Sequence, residues 1–477
     1  MKIELCALNG SNAHSCLAIR CLQTALLEAG YADTHCAEFS LRDRTATVLS
    51  HLVGARANVY SFSCYIYNVE QTLALARDVK TLLPDCHVVF GGPEASFATD
   101  RFTALPFVDT VITGEGEEAI VTLMGMLERG ETPPSLLEGT PDGRFEERGV
   151  PYDLSRAPAT LLYYESSRGC PYSCAFCLSS VSRGVRAKSA EKTLADLLEF
   201  EKSPASFVVK LVDRTFNFDR ERAKKIWRVL LSESYTKCYH FEICASLLDE
   251  ESFDILSKFP KGKVQLEIGL QSANEKTLAA ISRHTNAEAV LKAAARLKAQ
   301  GNIHVHLDLI AGLPFEDMAS FARSFDKAYP HADMLQLGFL KLLHGTALRE
   351  NAKELGLKYS ATPPYTVLET PYISFEEMCL LHRVEEVMER LTAKGRFVHT
   401  LHFLMAQLPS PFGVFEGFAS YLQKVGAGEI QKISQRDLFV HLSAWGKQRL
   451  PACHHEALVR SLEADFSSFE VRKPPKL

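Results

Sequence analysis

The sequence predicts an α/β protein with three parts: a doubly wound parallel-sheet domain, a partial (β/α)6 barrel and an α-helical C-terminal domain. Short apolar runs alternate with helical stretches over residues 1–155, as in a parallel sheet covered by helices. The same alternation begins again after residue 160 and gives six strand-like runs before residue 345. Helical stretches then follow one another over residues 361–477.

The first domain, over residues 1–155, carries four clear strand-like runs. They lie at residues 3–8, 58–63, 87–90 and 108–112, with helical stretches at residues 14–30 and 68–83. In parallel doubly wound sheets, ligands bind outside the carboxyl ends of the strands. The loops at residues 9–15, 63–68, 91–96 and 114–117 all share that edge. The sequence therefore predicts a ligand site there.

Three cysteines stand close together after the first strand of the second part. Cys170, Cys174 and Cys177 have a C-x3-C-x2-C spacing. Three thiolates on one short loop can hold three irons of a [4Fe–4S] cluster and leave the fourth iron open. Structural zinc sites need four ligands, and no second cysteine pair follows. The alternative is a set of three buried, inert cysteines.

Phe176, just before the last of these cysteines, completes a pattern that resembles the radical S-adenosylmethionine (SAM) family. In that family the open iron binds the amino and carboxylate groups of SAM and drives its reductive cleavage. The resemblance therefore implies Cys170, Cys174 and Cys177 as cluster ligands and SAM as cosubstrate. It also implies an electron donor such as flavodoxin or ferredoxin.

The second part, over residues 156–360, is expected to be the partial barrel of this family, the radical SAM core. Its six strands are predicted at residues 161–166, 207–212, 239–244, 264–270, 303–310 and 334–340. Active sites in such barrels lie at the carboxyl ends of the strands.

Five residues at those strand ends match SAM-binding positions of the family. Asp213 lies where the family contacts the methionine amino group, and Glu242 where a carboxylate binds the ribose hydroxyls. Gln271 ends the fourth strand, and Arg283 resembles the arginine that pairs with the SAM carboxylate. Asp308 lies in a fifth-strand motif near the adenine. Without a ligand, the two aspartates would be helix caps, and Glu242 and Arg283 would be solvated surface residues.

The loops of the first domain resemble those of the Rossmann-like cobalamin-binding domain that precedes many radical SAM cores. The matching runs contain Asn9, His14, Ser63, Tyr65, Asn68, Gly91, Gly92, Pro93, Glu94, Gly114 and Glu115. The glycines would let the backbone approach a flat macrocycle closely. The resemblance implies cobalamin as a second cofactor. The alternative is a vestigial Rossmann-like domain with an empty pocket.

No histidine is expected below the cobalt. Cobalamin proteins that ligate cobalt from that side use a D-x-H-x-x-G motif after the first strand, and this loop contains His14 without the motif. A partial match begins at Asp33 and His35 but has Glu38 in place of the glycine. We therefore interpret both histidines as structural residues or as neighbours of the ligand, rather than as cobalt ligands.

The last part, over residues 361–477, is predicted to be a helical domain. Ser374 and Glu377 have the spacing of a capping box before a helix that ends near residue 394. Further helices are expected at residues 397–408, 412–425, 434–449 and 454–463. Cys453 and the two histidines after it do not predict a metal site, because adjacent residues on a helix do not share a face.

Composition limits the classes of function. A net charge of −5 gives no basic footprint for nucleic acid. No run approaches the ~18 consecutive apolar residues of a membrane span, and the N-terminal residues lack a signal-peptide pattern. The 13 cysteines are therefore interpreted as reduced thiols and cluster ligands in the cytoplasm. Arg183, Arg186 and Lys188, after the cluster loop, are expected to form a solvated face.

Together, these resemblances imply a cobalamin-dependent radical SAM enzyme. The expected reaction is methylation of an unactivated carbon of a small molecule by way of a 5′-deoxyadenosyl radical. Alternatives within the enzymes are a rearrangement or cyclisation without methyl transfer, and a radical SAM enzyme that has lost cobalamin. A non-enzymatic alternative is an iron–sulfur sensor or binding protein, which needs only the cysteines. The tRNA methylthiotransferases fit poorly, because the cysteines of the first domain do not reproduce their cluster signatures.

Overall fold

The computed structural model describes residues 1–156, 161–181, 184–203, 207–470 and 475. The chain forms two six-stranded parallel sheets, followed by a group of packed helices. The predicted α/β class with a helical C-terminal domain is confirmed. The predicted boundary near residue 156 adjoins residues 157–160, which lie outside the described residues.

The first sheet is built as predicted, with two further strands. Its strands are β1 (Ile3–Asn9), β2 (Thr34–Ser40), β3 (Val59–Ser63), β4 (His87–Gly91), β5 (Thr110–Thr113) and β6 (Leu136–Glu138). Its helices are α1 (Leu17–Glu28), α2 (Thr45–Ala55), α3 (Val69–Leu82), α4 (Pro93–Phe97), α5 (Thr99–Thr103) and α6 (Gly116–Glu128). The strand order is β2-β1-β3-β4-β5-β6, and all neighbouring pairs are parallel. The order reverses between β1 and β3, and doubly wound sheets bind ligands at such a switch point, outside the carboxyl ends of the strands.

The second sheet contains the six predicted strands in chain order. The strands of this part are β7 (Leu161–Tyr164), β8 (Ser167–Cys170), β9 (Gly184–Ala187), β10 (Val208–Leu211), β11 (Cys238–Ile243), β12 (Val264–Gln271), β13 (His304–Ala311) and β14 (Met334–Phe339). Its helices are α7 (Ala190–Glu201), α8 (Arg220–Leu230), α9 (Glu250–Ser257), α10 (Glu275–Ala280), α11 (Ala287–Gln300) and α12 (Met318–Ala328). The sheet order is β14-β13-β12-β11-β10-β7. Because β7 and β14 do not pair with each other, this is an open, partial (β/α)6 barrel.

The two faces of the barrel sheet differ sharply in polarity. On β12, the buried side chains of Leu266, Ile268 and Leu270 alternate with Glu267 and Gly269. The apolar face packs against the helices and forms the core, while the other face lines the inside of the open barrel. Strands buried on both faces read as continuous apolar runs, so this alternation indicates a polar interior rather than a packed one.

A short antiparallel hairpin, β8 with β9, holds the cysteine loop and was not predicted from the sequence. Cys170 pairs with Gly184, and Gly169 has φ +90°. A side chain at Gly169 would collide with the backbone of Gly184, so only glycine fits there. The prediction that the basic residues after the loop are solvated is wrong for Lys188. Its side chain is buried, and its Nζ donates to Asp196 at 2.9 Å. Arg183 lies outside the described residues.

The C-terminal part is helical, as predicted, after one small hairpin that was not. Two elements precede residue 361, namely α13 (Ala347–Glu350) and β15 (Lys358–Tyr359). The elements after it are β16 (Val367–Glu369), α14 (Phe375–Thr392), α15 (Val398–Gln407), α16 (Pro411–Lys424), α17 (Gln435–Arg449) and α18 (His455–Phe469). The capping box of Ser374 and Glu377 is confirmed. Helix α16 packs on α14 and also on α12 of the barrel. The second of these contacts joins the C-terminal part to the barrel. Among the described residues, no helix is long and apolar enough to cross a membrane.

Candidate functional site

A pocket of about 180 Å³ lies at the carboxyl ends of the barrel strands. It brings together the three cysteines and four of the five predicted SAM-binding residues. The lining comprises Cys170, Tyr172, Cys174, Phe176, Cys177, Arg214, Thr215, Glu242, Ile243, Cys244, Glu267, Gly269, Gln271, Ser282, Arg283, His284, Thr285 and Asp308.

The cysteine loop is tied to the barrel at several points. The amide of Ala175 donates to Ile281 O at 2.9 Å, and Tyr172 donates its hydroxyl to Cys244 Sγ at 3.2 Å. Cys174 is buried beside Arg283, whose Nη1 is 3.7 Å from its Sγ. Burial raises the pKa of Cys174, while the arginine opposes this shift. The described residues contain no group of three His, Cys, Asp or Glu side chains placed to hold a single metal ion.

Three buried polar atoms in this pocket have no hydrogen-bond partner among the residues that the structure describes. They are Gln271 Oε1, Arg283 Nε and Asp308 Oδ1. Unsatisfied buried polar atoms are uncommon in folded proteins, and a polar ligand would satisfy these. Arg283 Nη2 is already held by the carbonyl of Gly269, so Nε remains for a ligand. The donors and acceptors that remain suit an amino acid with a ribose, which is the chemistry of SAM.

Gln271 is held in place by a buried hydrogen-bond network around its neighbour Ser272, which the sequence analysis does not predict. Its φ is +70°, a left-handed conformation that is uncommon for a residue with a side chain. The next residue, Ser272, donates to Glu316 Oε1 at 2.6 Å, and Ser324 donates to the same oxygen at 3.0 Å. Glu316 is fully buried, and burial raises its pKa to about 7. The network fixes the end of β12 and so directs the Gln271 amide into the pocket.

Carboxylates concentrate on the inner face of β11, β12 and β13. Lys210 Nζ is 2.8 Å from Glu267 Oε2 and 3.6 Å from Glu242 Oε1. His240 also contacts Glu267, at 2.8 Å. Burial, and then repulsion from Glu267, raise the pKa of Glu242 and of Asp308, the latter to about 8. Lys210 is therefore shared by two carboxyl groups, Glu242 and Glu267, and Arg214 and Arg283 also line the pocket.

Asp213 is the predicted SAM residue that does not line the pocket. It is fully buried, and its Oδ1 accepts from the hydroxyls of Ser166, at 2.8 Å, and Ser167. The carboxylate therefore braces the end of β7 against β10. Arg214 and Thr215, which follow it, line the pocket instead. A direct contact of Asp213 with SAM stays a prediction.

Asp308→Asn is expected to flatten the pH dependence of stability. Asp308 has a pKa of about 8 in the folded chain, whereas an unfolded aspartate titrates near pH ~4. Between these values the folded state keeps a proton that the unfolded state has released, so the free energy of unfolding falls as pH rises. Thermal unfolding of the SAM-free protein at about pH 5 and about pH 8 measures the slope. An equally steep loss in wild type and variant would contradict the assignment.

In the first domain, Asn9, Ser63 and Asn68 are buried at the carboxyl edge of the sheet. Asn68 Nδ2 donates to Leu8 O at 3.0 Å and to Ser63 O at 3.2 Å, and its Oδ1 accepts from the amide of Tyr65 at 2.8 Å. Asn9 donates to Glu38 Oε2 at 2.8 Å. The two amide side chains thus hold the loops after β1 and β3 in shape.

The histidines of this domain have protein partners. His14 Nδ1 is 2.8 Å from the hydroxyl of Tyr163 on β7, so the loop after β1 reaches the barrel. His35 lies on β2, exposed, with its Nε2 2.8 Å from Asp33 Oδ1. Glu38, which breaks the cobalt-ligand motif, accepts from the amide of Cys16 at 2.6 Å and so anchors the β1–α1 loop.

The remaining motif residues of this edge pack closely against other loops. Side chains at Gly92 and Gly114 would collide with the backbones of Cys64 and Gly139. Pro93 is the first residue of α4 and follows Gly92, the N-cap. Glu94 is buried against the C-terminal part, and Glu115 binds two arginines of the cysteine hairpin. The glycines are therefore required by protein packing, and a role in approaching a macrocycle stays a prediction.

Open surface remains between the loops after β1 and β3. Residues 12–14 are exposed, nothing lies within 4 Å of a side chain built at Gly10, and Tyr67 is 51% exposed beside Tyr65. The rings of Tyr65 and Tyr67 stack at 5.5 Å. This open edge faces the barrel, as the His14–Tyr163 contact shows. Its aromatic and small residues fit a large, flat ligand.

Three family models match the chain, in the order in which the structure places its parts. A B12 binding domain matches residues 8–124 and the Radical SAM superfamily matches residues 164–328. A protein family of unknown function, DUF4080, matches residues 353–476. The first two models are the domains that take cobalamin, SAM and a [4Fe–4S] cluster.

Two curated relatives carry methyl-transfer names. The chain is 29% identical over 389 residues to 2-(S-pantetheinyl)-carbapenam-3-carboxylate methyltransferase of Streptantibioticus cattleyicolor. The aligned region covers 73% of this chain and 56% of that protein. It is 28% identical over 260 residues to hopanoid C-3 methylase of Methylococcus capsulatus, or 49% of each chain. The chain thus spans about half the length of the curated relatives it matches.

Solved structures share the fold. The cobalamin-dependent SAM radical enzyme OxsB, with aqua-cobalamin and SAM bound, aligns with a TM-score of 0.68 at 15% identity, over 99% of this chain and 81% of that one. The radical SAM methyltransferase TsrM of Kitasatospora setae aligns with a TM-score of 0.61 at 16% identity, over 90% of this chain and 100% of that one. With a B12-binding domain, a radical SAM domain and a DUF4080 region in order, the chain belongs to the cobalamin-binding radical SAM family.

Proposed function

We propose that the protein is a cobalamin-dependent radical SAM enzyme that methylates an unactivated carbon of a small molecule. The observation that carries the proposal is one pocket with three cysteines and three unsatisfied buried polar atoms, below an open edge of the first domain. When bound, the reduced cluster and SAM supply a 5′-deoxyadenosyl radical for hydrogen abstraction, and cobalamin supplies the methyl group. The protein's own residues bind, orient and exclude water.

Each group in the barrel pocket has a distinct task in this proposal. Cys170, Cys174 and Cys177 hold the cluster. Arg283 uses its free, buried Nε to bind the carboxylate of SAM, because a guanidinium is the natural partner of that group. Gln271 and Asp308 bind the polar groups of the nucleoside, and Glu242 accepts from its ribose hydroxyls. Asp213 supports these contacts through the strand ends that it braces.

The first domain would hold cobalamin over the barrel. Asn9, Ser63, Asn68 and the glycines shape the loops. Between them, His14 is exposed and Tyr65 is half-buried. We also propose the division of the chain at residues 155 and 360, which gives one domain to each cofactor region and a third to the helices. A small-molecule substrate and a flavodoxin or ferredoxin as electron donor complete the proposal.

Methyl transfer is favoured over ring formation because the two relatives described above are a methyltransferase and a methylase. A second candidate is cyclisation with the same cofactors. It is supported by a 22% identical relative, the anaerobic magnesium-protoporphyrin IX monomethyl ester cyclase of Rubrivivax gelatinosus.

Anaerobic reconstitution with iron, sulfide and hydroxocobalamin is the first test. We expect about four irons and about one cobalt per chain. Incubation with methyl-deuterated SAM and a reductant should then give 5′-deoxyadenosine together with S-adenosylhomocysteine. Cobalt lost on gel filtration would remove cobalamin from the proposal, and 5′-deoxyadenosine without S-adenosylhomocysteine would favour the cyclisation candidate. Iron without 5′-deoxyadenosine would indicate a sensor.

His35→Ala is expected to leave the absorbance spectrum of bound cobalamin unchanged. His35 pairs with Asp33 on the exposed part of β2, so its imidazole is not directed at the ligand edge. His14→Ala should behave alike, since that imidazole contacts Tyr163. A change in the axial-ligand bands of either variant would show a histidine below the cobalt.

A further inference from the structure

Two acidic residues after β5 bind the hairpin that carries the first cluster cysteine. Arg168 on β8 donates through Nη2 to Glu117 Oε1 at 2.6 Å and through Nη1 to Glu115. Arg186 stands directly opposite Arg168 on β9 and donates to the other oxygen of Glu115. Glu117 is buried, so its charge depends on this partner.

The same arginines are enclosed by the segment that follows β6. The guanidinium carbons of Arg168 and Arg186 lie 4.7 Å and 5.7 Å from the centre of the Phe145 ring. Arg186 also donates to Asp142 O at 3.1 Å, and Asp142 in turn bonds Arg148. The hairpin is therefore seated in the first domain as well as in the barrel.

A second contact of the same kind lies after β4. Glu94 is 2% exposed and accepts from the hydroxyl of Tyr365, which is equally buried. Arg101 Nη1 lies 3.6 Å from Glu94 and 3.4 Å from the Tyr365 hydroxyl. The ring of Phe97 packs directly against Gly345, where a side chain would collide with it. This loop of the first domain thus docks on the segment that leads to the C-terminal helices.

We propose that Glu94, Glu115 and Glu117 are positioning residues that hold the ligand edge of the first domain over the barrel at these two points. The sequence predicts Glu94 and Glu115 as cobalamin contacts, whereas in this proposal their side chains contact only protein groups. The catalytic consequence rests on the proposed function. A substrate radical reacts productively only when the second cofactor stands at a fixed distance, and a displacement of about 1 Å can cost about a hundredfold in rate.

The first experiment uses the reconstituted full chain with Glu115→Gln and Glu117→Gln combined. Hydrogen exchange of the hairpin, residues 167–170 and 184–187, should become about tenfold faster. Cobalamin affinity, measured by absorbance titration, should stay within about twofold of wild type. The ratio of S-adenosylhomocysteine to 5′-deoxyadenosine should fall about fivefold, because SAM cleavage continues while the step at the second cofactor is misaligned.

The matched control is Glu131→Gln, which breaks the exposed pair of Glu131 with Arg129 in the same domain. It should leave all three measurements unchanged. A tenfold loss of cobalamin affinity in the double variant, with hairpin exchange as in wild type, would overturn the proposal and make Glu115 a ligand contact. The exchange measurement needs no cobalamin, so docking is tested even if the wild type fails to retain that cofactor.

The second point is tested by a double-mutant cycle of Glu94→Gln and Tyr365→Phe. If the two groups act only through each other, the double variant should shift the midpoint of thermal unfolding no further than the more severe single variant. Additive shifts would show that Glu94 and Tyr365 act independently, which would contradict a docking pair.

Discussion

Cys174→Ala is expected to abolish reductive cleavage of SAM. The thiol is buried within the pocket beside Arg283, and each of three cysteines must bind a separate iron. Loss of one ligand should leave a cluster that is incomplete or absent, so 5′-deoxyadenosine should fall below detection. The measurement is anaerobic turnover with dithionite, together with iron analysis of the same sample.

Cys453→Ala is the matched control, because Cys453 is exposed on the C-terminal helices and far along the chain from the loop. It should keep about four irons and full cleavage. Cleavage that persists in Cys174→Ala would remove Cys174 from the cluster. A variant that keeps its iron but does not cleave SAM would point instead to the contact with Arg283.

Arg283→Lys is expected to weaken SAM binding about thirtyfold, which corresponds to about 2 kcal/mol for a hydrogen bond between charged groups. Lysine keeps the charge but not the planar fork, and it cannot donate at once to the ligand and to Gly269. The dissociation constant can be measured anaerobically by isothermal titration of SAM into the cluster-loaded protein.

Arg296→Lys provides the control for this variant, since Arg296 forms an exposed ion pair with Glu250 on the outside of the barrel. Its affinity for SAM should match that of wild type. If Arg283→Lys also binds SAM normally while its thermal stability falls, the arginine serves the cysteine loop and not the ligand.

Much of the fold could be predicted because most strands and helices have a strong local pattern. The six strands of the barrel carry alternating or continuous apolar runs, and the capping box before α14 is visible in four residues. The missed elements lack such signals. Strands β8 and β9 have four residues each, with glycine and partly exposed side chains, and β6 has three. Each of these short strands is recognisable only from its pairing with a neighbouring strand, and not from its own sequence.

The candidate site was predictable where its residues are adjacent in the sequence. The three cysteines lie within eight residues, whereas Tyr172 and Cys244 meet across 72 residues and Ser272 and Glu316 across 44. Nothing local indicates such pairs. The sequence also places Glu94 and Glu115 at the ligand edge without fixing the direction of their side chains. In the structure both carboxylates point away from open surface and into neighbouring parts of the protein.

The outer edge of β7 is closed by the first domain. Among the strands that the structure describes, β7 pairs only with β10. On its other side, Leu161 N donates to Ala13 O at 3.2 Å and Tyr163 N donates to the Tyr152 hydroxyl at 3.2 Å. An uncovered edge strand recruits other chains and promotes aggregation. The residues that cover this edge precede β7 in the chain, so they leave the ribosome first and can fold before the edge emerges. A barrel expressed without residues 1–155 would therefore have an uncovered edge at β7 from the moment of its synthesis.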